Sequence, residues 1–283
     1  MSVLVLGTFD GVHIAHRKLI KEAKKFGNKV VACTFSAPFS PVKVLTDSDE
    51  KVCLLKEAGA DEVFMQETAS VKNLLPEEYI KMLTKKFMPT HIVAGFNHRF
   101  GKNASGDLAT LSFLGKKYGF VPVTVPPVSV EGEIVSSTHI RSLLSNGEIE
   151  KANLLLGRFY SLSGQVIQGR HIGTEINFPT ANISLNGKKI LPEAGVYATL
   201  VKVKSRLLKG MTNIGTNPTV ASGNSLSVET HILGFDGDIY NKEIEISFLK
   251  KIRNDKKFES LEELEHQLSQ DKLLINAYID TLK

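Results

Sequence analysis

The chain has 283 residues, about twice the length of a usual domain of ~150 residues, and this length favours two domains. Hydrophobic residues make up 42% and charged residues 23% of the chain, which excludes an intrinsically disordered, collagen-like or coiled-coil protein. The net charge is +5, but lysines never adjoin in more than pairs, so we expect a solvated surface and no nucleic-acid-binding stripe.

In the first half of the chain, short β-branched runs alternate with helical patterns. The runs that we predict as strands are residues 3–6, 30–35, 62–65, 92–94 and 121–125. The segments that we predict as helices are roughly residues 15–26, 48–58, 76–87 and 106–118. This alternation predicts a doubly wound, Rossmann-like α/β domain with a parallel sheet and helices on both faces. Ligands of such domains bind at the carboxyl ends of the strands, where we expect the chemistry.

The second half of the chain has a different pattern. A short helix is predicted at 148–156, and evenly spaced strands follow at 160–167, 195–203, 207–214, 227–233 and 243–249. They predict an antiparallel sheet or small β-barrel, followed by a C-terminal helix at 260–282. That helix begins with a capping box formed by Ser260 and Glu263. We therefore predict two domains, residues 1–152 and 153–283.

The segment GTFDGVHIAH directly follows the first predicted strand and opens the first helix. Gly7 and Gly11 allow a sharp turn and a close approach to a ligand. His13 and His16 share one face at a helix N-terminus, where they can donate hydrogen bonds to a triphosphate. The alternative is a plain Asp-Gly turn with solvated histidines, but the combination of features favours a phosphate site. A zinc site is disfavoured because no third ligand is near in sequence.

This segment resembles the HxGH nucleotidyltransferases, which join a nucleotide α-phosphate to an acceptor phosphate and release pyrophosphate. The flavin branch of this superfamily has the pattern GxFDGVHxGH, and the present segment matches it except that Ala15 replaces the last glycine. Residues 95–101 are similar to the family's loop after the fourth strand, and residues 136–141 are similar to its SSTxIR signature. Taken alone, Ser-Ser-Thr before a helix is only a helix cap. The order of the three segments favours the resemblance.

The resemblance implies two sets of functional residues in this half. The implied catalytic residues are His13, His16 and Arg141. The implied nucleotide-binding residues are Gly7, Phe9, Asp10, Gly11, Asn97 and Ser137. A guanidinium such as that of Arg141 can stabilise the charge of the departing pyrophosphate through fork-like hydrogen bonds.

In the second half, Gly169, Gly173 and the run NFPTAN at 177–182 suggest a second site. Amides of a glycine-bearing loop can reach phosphate oxygens. Thr180 and Asn182 alternate along an extended chain and offer two oxygens to one Mg²⁺, a cation that prefers oxygen ligands. From local chemistry alone, a Pro-containing turn with small polar residues is the simpler interpretation.

Here too the sequence resembles a known family, the bacterial riboflavin kinase module. The matching segments occur in order at 156–160, 179–182, 195–197, 213–219, 229–233 and 236–240. The resemblance to bacterial bifunctional riboflavin kinase/FAD synthetase thus covers almost the entire chain. It implies that Thr180 and Asn182 bind Mg-ATP and that Glu229 accepts the proton of the riboflavin 5′-hydroxyl. Judged from its position alone, Glu229 fits an exposed strand residue equally well.

The sequence departs from the family pattern at several positions. Thr174 replaces a usual Arg, and Asn177 and Asn241 replace usual glycines. The family's Pro-His-Pro after the second strand is replaced by the run APFSP at 37–41. These departures motivate an alternative to the bifunctional enzyme, an FAD synthetase whose kinase domain is weak or inactive. A non-catalytic flavin sensor and an adenylyltransferase for another phosphate-bearing acceptor are further alternatives.

The expected ligands are ATP, riboflavin, FMN and FAD, with Mg²⁺ accompanying ATP. We expect no nucleic acid, no membrane and no obligate protein partner. Cys33 and Cys53 are too few for a disulfide framework or a cysteine zinc site, and they fit a reducing compartment. No apolar run of ~18 residues and no secretory leader pattern is found, so we expect a cytoplasmic protein.

Overall fold

The computed structural model describes residues 2–168, 178–185, 187–216 and 226–282. The chain divides into two compact units, Met1–Ser137 and Thr138–Lys283. The predicted boundary at residue 152 lies inside the second unit. The boundary at residue 152 stays a prediction.

The first unit contains a five-stranded parallel sheet in the order β3-β2-β1-β4-β5. Its strands are β1 Ser2–Leu6, β2 Val30–Phe35, β3 Glu62–Gln66, β4 Pro89–Gly95 and β5 Val121–Val125. Its helices are α1 Ile14–Ala23, α2 Ser48–Glu57, α3 Thr68–Val71, α4 Pro76–Phe87 and α5 Leu108–Tyr118. A short hairpin follows, formed by β6 Ser129–Val130 and β7 Glu133–Ile134. The predicted doubly wound α/β fold is confirmed.

The central strand β1 is completely buried, because helices cover both faces of the sheet. Val3 and Val5 pack in one apolar core with buried residues of α1 and α2. Leu4 and Leu6 point to the other face and pack with residues of α4 and α5. A β1 strand enclosed on both faces explains why its sequence is a continuous apolar run.

The second unit contains a closed antiparallel barrel in the order β10-β11-β12-β9-β8-β13. The strands are β8 Tyr160–Ile167, β9 Ala181–Ser184, β10 Gly195–Val203, β11 Arg206–Thr216, β12 Leu226–Ile232 and β13 Glu243–Asn254. The described helices are α6 Ser137–Ser145, which begins at the end of the first unit, α7 Ile149–Leu156 and the C-terminal α8 Leu261–Asp280. The predicted barrel and C-terminal helix are confirmed.

The two faces of the barrel strands have different chemistry. On β11, Met211 packs in an apolar core that includes Ile275 and Ile279 of α8, so this face lies outside the barrel. The hydroxyl of Thr212 faces the other way and joins the hydroxyls of Thr199 and Thr230, each at 2.8 Å. The outer face of β10, β11 and β13 is therefore the face on which α8 packs.

A buried ion pair fastens α8 to the barrel. Asp271 of α8 is 1% exposed, and its carboxylate accepts hydrogen bonds from Nε of Arg253 on β13 at 2.9 and 3.2 Å. Removing one partner of such a pair leaves a buried charge unpaired, which is costly. The position of α8 on the outer face is thus fixed by charge as well as by apolar packing.

The helices and the cysteines of the chain bear on the expected absence of a membrane span and of a disulfide. Within the described residues, no helix is both long and apolar enough to span a membrane. Cys33 is buried and Cys53 is exposed, and both thiols are free. The structure therefore contains no disulfide between these two cysteines.

Candidate functional sites

The first candidate site lies in the loop that joins β1 to α1. Phe9, Gly11 and Val12 have φ angles of 51°, 82° and 36°, in the left-handed region, and produce the sharp turn expected from the sequence. The ring of Phe9 is completely buried and lies against Gly7, where an added Cβ would be 3.0 Å from Cζ of Phe9. Gly7 therefore makes room for a core phenylalanine, and the Phe9 ring supports the loop from below.

Asp10 connects this loop to the segment before α2. Its buried carboxylate accepts hydrogen bonds from the backbone N–H groups of Leu45 and Thr46 at 2.9 and 3.2 Å. Thr46 Oγ1 in turn accepts a hydrogen bond from the Gly11 N–H at 3.0 Å. The hydroxyl of Ser137 donates to the Asp10 carbonyl at 2.8 Å. The structure thus joins three of the predicted nucleotide-binding residues through hydrogen bonds that shape the loop.

The two predicted catalytic histidines lie together at the start of α1. Their rings stack with centroids 3.6 Å apart and planes inclined by 15°. His13 is the N-cap of the helix, and its Nδ1 accepts a hydrogen bond from the His16 N–H at 3.4 Å. Because Nδ1 accepts, the proton of neutral His13 resides on Nε2, which is the nitrogen that can donate to a ligand.

The environment of His16 keeps its imidazole neutral. Burial lowers the pKa of His16 well below the usual 6.5, and electrostatic interactions with His13 and Lys51 lower it further. The Nδ1 atom of His16 is buried and has no hydrogen-bond partner among the described residues. A buried polar nitrogen without a partner is rare, so a ligand group that pairs with it would be stabilising.

Lys51, on α2, is a charged residue of this site that the sequence analysis did not identify. It is buried, and its ammonium donates to the Phe35 carbonyl at the end of β2 at 3.0 Å. Burial lowers the pKa of Lys51, and the Asp10 carboxylate opposes this effect. Lys51 shares the buried face of α2 with Leu54 and Leu55. A lysine at an apolar position of the helical pattern was the available signal.

Two further predicted residues, Asn97 and Arg141, lie on other elements. Asn97 is exposed in the turn after β4, three residues beyond Ala94, which pairs with Leu6 of β1. Asn97 therefore lies at the same carboxyl edge of the sheet as the β1–α1 loop. Arg141 lies on α6, four residues after Ser137, and belongs to the second unit. Its role stays a prediction.

A neighbour of Asn97, the half-buried histidine His98, whose Nε2 atom is buried, yields a direct titration test. Its ring stacks on Phe100 with centroids 5.9 Å apart, and burial lowers its pKa to about 4. We expect an NMR titration of His98 with a midpoint near 4, assigned by loss of the signal in His98→Phe. Since the unfolded-state pKa is about 6.5, protonation favours the unfolded chain, and stability falls as pH falls from about 6.5 towards 4. A midpoint near 6.5 would contradict this burial.

The second candidate site lies on the barrel, where two paired strands bring predicted residues together. Asn182 on β9 pairs directly with Glu229 on β12, so their side chains share one face. Thr180 precedes β9 and is exposed. No side-chain hydrogen bond joins Thr180 or Asn182 to another described residue. The predicted residues Gly169 and Gly173 lie outside the described residues, as do Thr174 and Asn177.

His231, which was not among the predicted site residues, holds the segment before Thr180 in place. Its Nδ1 is 2.8 Å from the Pro179 carbonyl, and its ring packs beside Phe178 with centroids 5.2 Å apart. Burial lowers the pKa of His231, so the neutral ring donates through Nδ1–H to Pro179. His231 lies two residues after Glu229 on the same strand face, which was the available signal.

Two departures from the family pattern fall on described residues. Asn241 has a φ of 58°, the left-handed conformation for which glycine is the usual residue and which asparagine tolerates best after glycine. Ala15 lies in the first turn of α1, where an added methyl is compatible with helical backbone. Both substitutions therefore fit the local backbone.

Comparison with known proteins covers both units. A family model described as FAD synthetase matches residues 1–139, and one described as riboflavin kinase matches residues 156–279. A protein of Listeria monocytogenes, "Bifunctional riboflavin kinase/FMN adenylyltransferase", is 33% identical over 298 residues, which include 100% of this chain and 94% of that protein. The chain belongs to the bifunctional riboflavin kinase/FMN adenylyltransferase family.

Other members of this family and one solved structure agree with that assignment. The Escherichia coli K12 protein of the same description is 34% identical, over 99% of this chain and 94% of its own. A crystal structure described as a macrolide-efflux protein from Streptococcus pneumoniae has a TM-score of 0.88 and 30% identity, covering 97% of this chain and 93% of that chain. Its description names a different activity, whereas its fold matches that of this chain.

Proposed function

We propose that this chain phosphorylates riboflavin to FMN in its barrel unit and adenylates FMN to FAD in its α/β unit. The observation that carries the proposal is the full-length family match combined with a separate cluster of reactive groups in each unit. The stacked pair His13 and His16 lies at the carboxyl edge of the parallel sheet. Asn182 and Glu229 lie opposite each other on the barrel.

In the kinase step, the terminal hydroxyl of riboflavin attacks the γ-phosphorus of ATP and ADP leaves. Glu229 accepts the hydroxyl proton as the new O–P bond forms and the β–γ bridge bond breaks. Its place in the middle of a paired strand fixes the direction of the carboxylate. Such positioning supplies most of what a phosphoryl transfer needs, since the loose transition state involves little covalent chemistry with the protein.

In the adenylyl step, a phosphate oxygen of FMN attacks the α-phosphorus of ATP and pyrophosphate leaves. FMN brings its own nucleophile, so no covalent protein intermediate is required. Nε2–H of His13 donates to a phosphate oxygen, and the imidazole of His16 stabilises the negative charge that develops during transfer. We assign Arg141 to the pyrophosphate and Asn97 to the nucleotide, as the family resemblance implies.

The oxygen atoms offered by the barrel site are of the kind that Mg²⁺ prefers as ligands. Thr180 and Asn182 offer a hydroxyl and an amide oxygen, the hard ligands that Mg²⁺ prefers, and neither side chain is committed to another described residue. A magnesium ion bound with ATP neutralises phosphate charge and orients the terminal phosphoryl group. Thr180 and Asn182 would hold it beside Glu229.

We also infer that the protein works in the cytoplasm, with ATP and flavins as its ligands. The free thiols of Cys33 and Cys53 suit a reducing compartment, and both proposed reactions consume ATP. No protein partner is required by either proposed step.

The decisive experiment incubates the full chain with riboflavin, ATP and Mg²⁺ and follows flavins by chromatography. We expect FMN to appear first and FAD to accumulate, and we expect excess EDTA to stop both reactions. FAD formed from supplied FMN, with no product from riboflavin, would favour the alternative of an FAD synthetase with an inactive kinase. Formation of neither FMN nor FAD would refute the proposed function.

A further inference from the structure

A third polar residue extends the Asn182–Glu229 pair across the barrel. Asn213 on β11 pairs directly with Glu229 on β12, which in turn pairs with Asn182 on β9. Residues directly opposite each other in antiparallel strands have side chains on the same face. Asn182, Glu229 and Asn213 therefore form a row, with the carboxylate in the middle. We call it the polar row.

The polar row lies on the outer face of the barrel, at the edge of the surface that α8 covers. Met211, two residues before Asn213 on β11, packs with Ile275 and Ile279 of α8. Val196, the partner of Asn213 on β10, belongs to the same apolar core. Asn213 thus marks the point where an apolar surface meets the polar groups, as expected for a ligand with an apolar ring and a polar chain.

The carboxamide of Asn213 lacks a hydrogen-bond partner among the residues that the structure describes. Its Oδ1 is buried and accepts no hydrogen bond from any described residue. Asn213 also makes no hydrogen bond to Glu229, since its side chain has no hydrogen-bond partner among the described residues. Because buried polar atoms are almost always paired, this amide is suited to a ligand group.

Gly215 leaves room beside this amide. It is the next residue of β11 on the same face, and a Cβ built there would lie 3.0 Å from Nδ2 of Asn213. The same Cβ would lie 3.4 Å from Oδ2 of Asp255. A methyl group at position 215 would therefore push the amide by a few tenths of an ångström, whereas glycine leaves its position along the strand unchanged.

The width of the polar row determines whether Asn213 can bind the same metal ion as Asn182. Neighbouring strands are about 4.8 Å apart, so the backbones of Asn182 and Asn213 are about 10 Å apart, with Glu229 between them. On the convex outer face of a barrel, side chains diverge. An ion held at about 2.1 Å by Asn182 is therefore out of reach of Asn213. Asn213 lies on the opposite side of Glu229 from Asn182.

We propose that Asn213 binds a secondary hydroxyl of the polyol chain of riboflavin, next to the terminal hydroxyl that Glu229 deprotonates. This inference rests on the proposed kinase function and adds a determinant of flavin specificity. A hydroxyl both donates and accepts, so it pairs with Oδ1 or with Nδ2 of the amide. The contact selects flavins with a polyol over flavins with a plain alkyl alcohol.

The test compares two flavins on the full chain. One is riboflavin, and the other is a 10-(5-hydroxypentyl) flavin, which keeps the terminal hydroxyl but lacks the secondary ones. Quenching of flavin fluorescence gives the Kd for each in the presence of Mg-ADP. We expect Asn213→Leu to weaken riboflavin binding about tenfold and to change binding of the hydroxypentyl flavin less than twofold.

Controls separate this role from damage to the fold. Gln270→Ala, at an exposed position of α8, removes a carboxamide outside the polar row and should leave both Kd values unchanged. Gly215→Ala, which keeps Asn213 but shifts its amide, should weaken binding of riboflavin more than binding of the hydroxypentyl flavin, and it tests the contact even if Asn213→Leu does not fold. Equal weakening for both flavins, or none, would overturn the proposal. If the wild-type chain forms no FMN, the kinase function itself fails.

Discussion

Replacing His16 by alanine is expected to reduce FAD formation from FMN and ATP by at least about 100-fold, while FMN formation from riboflavin continues at the wild-type rate. His16 stacks on His13 at 3.6 Å and presents a buried nitrogen without a described partner to the carboxyl edge of the sheet. Removing its ring takes away the group that meets transferring phosphate charge. The measurement is the initial rate of each reaction, fed separately with FMN and with riboflavin.

His91→Ala provides the matched control for this variant. His91 lies in β4 and stacks on Phe26 with centroids 4.6 Å apart, before the carboxyl end of the strand at which the candidate site lies. Loss of its ring tests whether removing any histidine from the α/β unit impairs catalysis. We expect both activities to persist in His91→Ala. Equal loss of both reactions in His16→Ala would show that the two sites are not separate.

The converse result is expected for Glu229→Gln, which should lower the rate of riboflavin phosphorylation by about 10²- to 10⁴-fold and leave FAD formation from supplied FMN intact. The amide has the same shape as the carboxylate and preserves the strand pairing with Asn182 and Asn213. It cannot accept the hydroxyl proton. The variant therefore isolates proton transfer from packing, and flavin binding should remain close to that of the wild type.

Glu243→Gln is the matched control for Glu229→Gln. Glu243 is the exposed first residue of β13, and its neutralisation changes the net charge of the barrel by the same amount. We expect no effect of this control on either reaction. Riboflavin phosphorylation at the wild-type rate by Glu229→Gln would exclude Glu229 as the base.

Local sequence patterns predicted most of the elements of this fold. The strands Val30–Phe35 and Val121–Val125 and the helix Pro76–Phe87 have the bounds expected from the sequence. Buried strands of a parallel sheet have continuous β-branched runs, and Pro at the start of a helix with a stop signal after it marks both ends. The bounds of an element can therefore be predicted from the sequence when residues within that element determine its structure.

Elements that depend on partners were not predicted. The strand Ala181–Ser184 has four residues and lies within a run that reads as a turn, and it forms because β8 and β12 pair with it. The register that places Asn213 opposite Glu229 is likewise a property of three strands together. Lys51 was missed because its proximity to His16 depends on packing between α1 and α2. Short-range patterns do not specify such long-range pairings.

The hydrogen bonds of Asp10 have a consequence for motion in the α/β unit. One residue joins the β1–α1 loop, the segment at Leu45 and Thr46, and the hydroxyl of Ser137. Opening any one of these segments requires release of bonds that the others share. Their amide protons should therefore exchange with solvent through a common cooperative event, which makes the three segments a single unit of local unfolding.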